Sequence, residues 1–598
     1  MGETESVPEW DLSPLVKSTD PVEVKKDLDA MLDKSKAIAA RYRGRIAQAE
    51  PKQILALYRD IDSAYSSMFG PYSYASLLFT ADATNPVGCE LYEYARNAWT
   101  RLSSELKFVD LELAKTLRNR PRLTEDPALS EFKHALEKLR EGMRYQLSES
   151  DEHLILGKDR YGIESWSLLH EALRGSRRFE MEIDGKSEEF GLLDLQGLVL
   201  SEPRRTTRKR ASEVLHEGLS KDRLTWSYAL RSVFGDHLSM VRLRKMPDVL
   251  TASLLGNDIS RKVLNSLIEA MQNNVGLIRE YLSKKAEIMG LSRLAEFDLD
   301  APVFQSEQRL SWQEARKLIA DSYRAFDEDI GRFVSHLFDN KMIDARPRPG
   351  KTGFGFCAAV PSLRTSWIMM NYVGSLLDAK TLAHEVGHAI HGYLASEKHQ
   401  WTNVDPGLCL SETASTFGEL LLVDRQFSES SDDSTRMSLL CSILDGFRRM
   451  VYDMLARFRF ETNAFSALEN SENLDADKLD TLWSSTRKEV YGDTVDWPPR
   501  TESWWAFPPH HFMSDIRFYN YPYAFGKLLV YALYGLYKEQ GRAFVPKMKR
   551  ILSSGGSKAP EQLLSEIGFD LAGRGFWEIG FSQARTFLEE LENLVKGT

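Results

Sequence analysis

At 598 residues, with 42 % hydrophobic and 27 % charged positions, the chain is too long for one ordinary core and too apolar for wholesale disorder; its length corresponds to roughly three to four domain-sized units. A net charge of −10 and a pI near 5.8 exclude the basic excess of a general nucleic-acid binder. Four scattered cysteines, Cys89, Cys357, Cys409 and Cys441, provide neither a disulfide framework nor a cysteine-rich zinc module, and no apolar run approaches the ~20 residues that span a bilayer.

In chain order, the opening MGETESVPEWDLSPLV is acidic and lacks the apolar core of a secretory leader. MGETES fits a loose myristoylation pattern, but a plain start is the simpler reading, and the expectation is a cytoplasmic protein with no membrane or nucleic-acid partner. Residues 20–47 carry an Asp start signal and apolar positions at three- and four-residue spacing; residues 91–117 repeat that grammar, predicting long amphipathic helices. RFEMEIDGKSEEFGL (178–192) alternates around Asp184-Gly185, a hairpin signal. A boundary placed here separates an N-terminal helical region, 1–190, from a second region, 191–598. The basic run Arg204 to Arg210 reads as a solvated helix face rather than a phosphate patch. Two short β-rich segments, GFGFCAAV and TSWIMMNYV, follow a Pro/Gly-rich loop within 346–375 and predict one small sheet. From Asp378 onward helices dominate, broken by the Pro- and aromatic-rich stretch 496–512.

The stretch TLAHEVGHAIHGY (381–393) follows that sheet directly. On a helix His384 and His388 share a face one turn apart, so both imidazoles can reach one zinc ion, with Glu385 beside it as a base for a metal-bound water. Leu382, Ala383, Val386, Ala389 and Ile390 predict a buried helix, and Gly387 predicts a close neighbour. A third histidine six residues after His388 would mark a metzincin, but that position is Leu394. His391 reads as packing. Glu412, 24 residues after His388 among apolar and small residues, is the candidate third ligand, because a buried carboxylate needs a partner. Glu419, two turns on, is placed to orient a ligand histidine, and Asp378 reads as a helix cap. Downstream, PPHHFMSDIRFYNYPYAFG (508–526) reads as a loop leading into a helix at 524–540; it offers His510, His511, Tyr519, Tyr521 and Tyr523 as neutral donors for an oxyanion or a peptide main chain.

TLAHEVGHAIH followed by SETASTFGE, with the later His-rich turn before FYNYPYAFG, resembles the oligoendopeptidase F group of the thimet oligopeptidase-like zinc metallopeptidases. EWDLSPLV and GKTGFGFCAAV…WIMMNYVGSLLDAKTLAHE extend the likeness over most of the chain. The resemblance implies a mainly α, two-lobed fold with a small sheet beside the histidine helix and a deep channel that admits unfolded oligopeptides. It implies one Zn2+ per chain on His384, His388 and Glu412, and Glu385 as general base. His511, Tyr519 and Tyr523 are then the oxyanion-side residues, with His510 competing for the role of His511. The strand Trp367 to Tyr372 is expected to be an edge that pairs with substrate, and the Gly353–Gly355 loop to close over it. The expected activity is endopeptidase cleavage by direct attack of zinc-bound water. A carboxypeptidase or dipeptidase on the same fold is the alternative; it needs a basic residue for the terminal carboxylate, with Arg364, Arg500 and Arg517 as candidates. A non-enzymatic helical scaffold is the third reading.

Overall fold

Proline opens each of the three long N-terminal helices, Pro21–Tyr42, Pro51–Ala81 and Pro86–Asn119, where its missing N–H would have no helical acceptor in any case. Asp20 and Asn85 cap the first and third through side-chain oxygens, and Glu50 pairs with Gln53 in a capping box on the second. The three pack on one another, and Leu28, Ile54, Met68, Leu102 and Leu117 on them are fully buried. The computed structural model describes residues 7–304, 309–353 and 355–597. The MGETES segment and Phe354 lie outside them. The chain is 73 % helical, so the mainly α expectation holds, and no helix among the described residues is long and apolar enough to cross a membrane.

Two compact units emerge, each assembled from three stretches of chain: Met1–Arg144, Glu307–Glu429 and Leu533–Phe569 form one; Tyr145–Ser306, Ser430–Ala532 and Asp570–Thr598 form the other. The change of grammar near residue 190 falls inside the second unit.

In the first unit the small sheet has three strands: Ile343–Asp344, Phe356–Val360 and Thr365–Met369. Thr365–Met369 is the middle strand, parallel to the first and antiparallel to the second. This corrects the expectation of an edge at Trp367–Tyr372: Trp367, Ile368 and Met369 are fully buried, and the free edge is Phe356–Val360. The continuous apolar run is what a strand flanked on both sides requires. Asp344, also buried, accepts from Arg348 and Lys351, which ties the Pro/Gly loop to the sheet.

In the second unit Arg178–Ile183 pairs antiparallel with Lys186–Gly191, and Asp184 and Gly185 both take left-handed φ (52° and 77°), as a two-residue hairpin turn demands. Met181 packs with Leu192, Leu195 and Leu215. The basic run is not simply a solvated face. Arg205 and Arg208 both donate to the fully buried Asp298, and Arg208 itself is 1 % exposed. The last long aromatic stretch becomes helix earlier than expected, at Tyr521–Gln540, with Pro522 in its first turn.

Candidate active site

Helix Leu376–Ser396 begins with a capping box: Ser375 accepts from the Asp378 N–H, and Asp378 accepts from the N–H groups of Ser375 and Val373. Its apolar residues bury nearly the whole circumference, as the sequence predicts. Glycine admits its neighbours. A Cβ on Gly387 would lie 2.5 Å from the Ala414 carbonyl oxygen and the Ser415 Cα, and one on Gly392 would lie 2.7 Å from the Ala359 Cβ. The helix is thus clamped between helix Thr413–Glu429 and the edge strand, both in the same unit.

That clamp brings three donor atoms together. His384 Nε2 lies 3.2 Å from His388 Nε2 and 3.3 Å from Glu412 Oε2; His388 Nε2 lies 3.5 Å from the same oxygen. Tetrahedral zinc with bonds of about 2.0–2.1 Å separates its ligands by roughly 3.3–3.4 Å, so the donor set fits that ion. Glu412 does not sit mid-helix. It occupies the break between the short turn Leu408–Ser411 and helix Thr413–Glu429, with its side chain 38 % exposed, and Ser415 Oγ donates to its Oε2 (2.7 Å). His384 Nδ1 donates to Glu419 Oε1 (2.7 Å), leaving Nε2 as the free lone pair, and Lys380 lies 3.3 Å from the other Glu419 oxygen. Burial opposes charge on His384, but the hydrogen bond and charge of Glu419 outweigh it and raise its basicity. His391 is buried among the flanking groups with its Nε2 unpartnered, and burial lowers its pKa to about 4. It is not part of the donor group.

Glu385 is 6 % exposed, and burial, aided by Glu412 and Glu419 against the pull of His384, pushes its pKa up to about 7. His384, Glu385 and His388 open onto a cavity of ≈1220 Å³ within the first unit. Gly355 and, on the edge strand, Cys357 and Ala359 line one part of it, and Tyr65, Phe69 and Trp401 another. Among the described lining residues Lys107 is the only Lys or Arg. Arg364 faces other depressions, and Arg500 and Arg517 belong to the second unit.

In the second unit His510, not His511, keeps company with the tyrosines. Its ring centroid lies 5.1 Å from that of Tyr519 and 6.3 Å from that of Tyr523, and the two tyrosines are 5.2 Å apart. His511 is 1 % exposed, donates from Nδ1 to the Trp505 carbonyl oxygen (3.0 Å) and packs on Phe460. Burial drives its pKa well below the usual range. The tight turn Pro509–His511 points consecutive side chains to different sides, which motif spacing does not reveal. Sequence reasoning also missed Ser415 and Lys380. Their signal was the helical spacing: three residues after Glu412 and four before His384.

Two family models match the chain, one described as Peptidase family M3 over residues 198–582 and one as Oligopeptidase F over residues 120–179. Group B oligopeptidase PepB of Streptococcus agalactiae is 24 % identical over 534 residues, covering 88 % of this chain and 87 % of its own. Oligopeptidase PepF of Bacillus subtilis is 22 % identical over 562 residues, covering 93 % and 83 %. The crystal structure of oligoendopeptidase-F from Enterococcus faecium shares the fold, with a TM-score of 0.69 at 20 % identity over 96 % of this chain and 99 % of that one. With the larger model spanning more than half of its length, the chain belongs to peptidase family M3 and is an enzyme of the metallo-oligopeptidase kind.

Proposed function

We propose that this enzyme is a zinc-dependent endopeptidase of short, unfolded oligopeptides, with His384, His388 and Glu412 holding one zinc ion per chain and Glu385 as general base. One observation carries the reading: three donor atoms 3.2–3.5 Å apart on a clamped helix pair, with a buried carboxyl beside them. Two imidazoles and one carboxylate favour zinc over magnesium or calcium, which prefer oxygen alone. When bound, the ion supplies Lewis acidity, polarising the scissile carbonyl and acidifying a water.

Glu385, buried beside the donor set, takes a proton from the attacking water and returns it to the leaving amine, so no covalent intermediate is needed. Glu419 holds His384 in one tautomer and Ser415 holds Glu412, so donor geometry is set before substrate arrives. The free edge Phe356–Val360 offers main-chain partners to an extended peptide. The cavity exceeds the ~300–1,000 Å³ typical of small-molecule pockets, which suits a peptide segment. Tyr519, Tyr523 and His510, the last in place of His511, are assigned as hydrogen-bond donors for a peptide main chain. The catalytic region is assigned to 191–598, with cavity walls such as Tyr65 and Phe69 contributed from 1–190. A cytoplasmic location accords with four cysteines that form no disulfide among the described residues, two of them buried.

The test is metal content together with cleavage of internally quenched peptides blocked at both ends. Wild type should carry about one zinc per chain and cut the blocked peptides. Glu385→Gln should retain the metal and lose roughly 10²–10⁴-fold in kcat/KM. Undiminished cleavage by the variant removes Glu385 as base, and failure on every blocked peptide points to an exopeptidase.

A further inference from the structure

Glu461 has no part in the chemistry above, yet its carboxyl side chain is 1 % exposed in the middle of helix Asp453–Glu469. Its two oxygens accept from two residues of one short segment: Oε2 from the Phe518 N–H (2.9 Å) and Oε1 from Asn520 Nδ2 (2.6 Å). Both residues belong with Glu461 to the second unit. The residue between them is Tyr519.

The segment is constrained from several sides. The Asn520 N–H donates to the Phe518 carbonyl oxygen (2.8 Å), closing a three-residue turn with Tyr519 at its tip. Phe518 takes a left-handed φ of 54°, an outlier for a bulky side chain. Its ring is held by Phe458 and Phe465, with centroids 5.7 and 5.5 Å away, which share a helix face with Glu461. Asn520 Oδ1 accepts from the Tyr521 N–H (2.6 Å), and the Asn520 carbonyl oxygen accepts from the Tyr523 N–H (3.1 Å), at the start of the helix that carries Tyr523. Arg517 Nη1 donates to the His511 carbonyl oxygen (2.7 Å), tying the segment to the turn that presents His510. From Arg517 to Pro522 every residue is buried except Tyr519. A carboxyl taken out of water and a strained backbone are both costly. Such costs persist where the surroundings over-determine one geometry, and they cluster at functional sites.

We propose that Glu461 is a positioning residue: it grips the residues on both sides of Tyr519 and so fixes where the tyrosine hydroxyl stands for a bound peptide. This role rests on the assignment of Tyr519 to a peptide main chain. Glu461 acts through the turn, not on the substrate. A carboxylate suits the task because it offers acceptors at both oxygens and no donor of its own. Burial pushes the Glu461 pKa up to about 7, against the pull of Arg517 and the two hydrogen bonds, so the ionised form is secured in alkaline buffer above that value.

The intact enzyme is assayed in such a buffer on a blocked, internally quenched peptide, with zinc content and Tm measured alongside. Tyr519→Phe should lower kcat/KM on the order of 10-fold, the upper range for one hydrogen bond. Glu461→Gln keeps the size of the side chain but sets an amide donor against one of the two donors it must accept. It should lose at least as much activity with zinc content unchanged. Adding Tyr519→Phe to Glu461→Gln should then cost less than about twofold more, because the hydroxyl it removes is already misplaced. A purely structural role would leave the two losses to multiply. Asn520→Ala, which deletes the other donor to Glu461, is paired with Tyr519→Phe in the same way if Glu461→Gln does not fold. Wild-type kcat/KM in Glu461→Gln, or losses that multiply in the double variant, overturns the positioning role. A silent Tyr519→Phe removes that tyrosine as a donor and the role of Glu461 with it, while cleavage of the blocked peptide by wild type still upholds the endopeptidase reading.

Discussion

Gly387→Ala is the smallest change that should separate the donor set. A Cβ at residue 387 would stand 2.5 Å from the Ala414 carbonyl oxygen and the Ser415 Cα, both main-chain atoms of the neighbouring helix. Ordinary carbon contacts lie near 3.5–4.0 Å, so the two helices must part by about 1 Å. One helix carries His384 and His388, and Glu412 sits at the head of the other. A displacement of that size is several times the ~0.2 Å tolerance of metal–ligand bonds. Overpacking against a rigid backbone costs about 1–3 kcal/mol, and the better helix preference of alanine offsets about 1 kcal/mol of it. The expected outcome is a small loss of stability with a much larger loss of zinc affinity, at least ~10-fold, the lower range for disturbing a ligand's supporting groups. Chelator competition measures the affinity and urea unfolding of the metal-free protein the stability. Gly235→Ala is the control: its Cβ meets nothing within 4 Å on helix Arg223–Leu243, so alanine there should be neutral or slightly stabilising. A Gly387→Ala protein with wild-type zinc affinity would refute the clamp as the source of the donor geometry.

Three further outcomes are expected. Glu419→Gln removes the charge that fixes the His384 tautomer and should weaken zinc binding ~10–100-fold in chelator competition, whereas unchanged affinity would mean Glu419 does not orient the ligand. Asp298→Asn strips the shared counter-charge from Arg205 and Arg208 and should cost about 3–5 kcal/mol in urea unfolding; a loss under ~1 kcal/mol would show that water satisfies both arginines. His170, buried on Phe512 and donating from Nε2 to the Ala506 carbonyl oxygen, has its pKa lowered by burial to about 4. The unfolded chain, with its histidine near 6.5, therefore binds the proton more tightly, and stability falls as pH drops from ~6.5 to ~4, by at most about 3 kcal/mol from this residue. His170→Gln should flatten that fall in urea midpoints between pH 7 and pH 4.5, and parallel slopes for variant and wild type would exclude the residue as a cause.

What the sequence determined was whatever depends on spacing along one helix or one turn. His384 and His388 share a face because four residues make about a turn, and the apolar girdle around them fits only a buried helix. Glu419 reaches His384 as its position two turns beyond Glu412 indicated, and Asp184-Gly185 makes its hairpin because both residues tolerate left-handed φ. Tertiary structure decided what depends on partners distant in the chain. Thr365–Met369 became a middle strand because Ile343–Asp344 pairs with its far side, a strand too short to announce itself. His510 and His511 are equivalent as letters, and only the packing of Phe460 and the Trp505 carbonyl draws one inward. The basic run looked like a solvated face until Asp298, some ninety residues away, was folded beneath it.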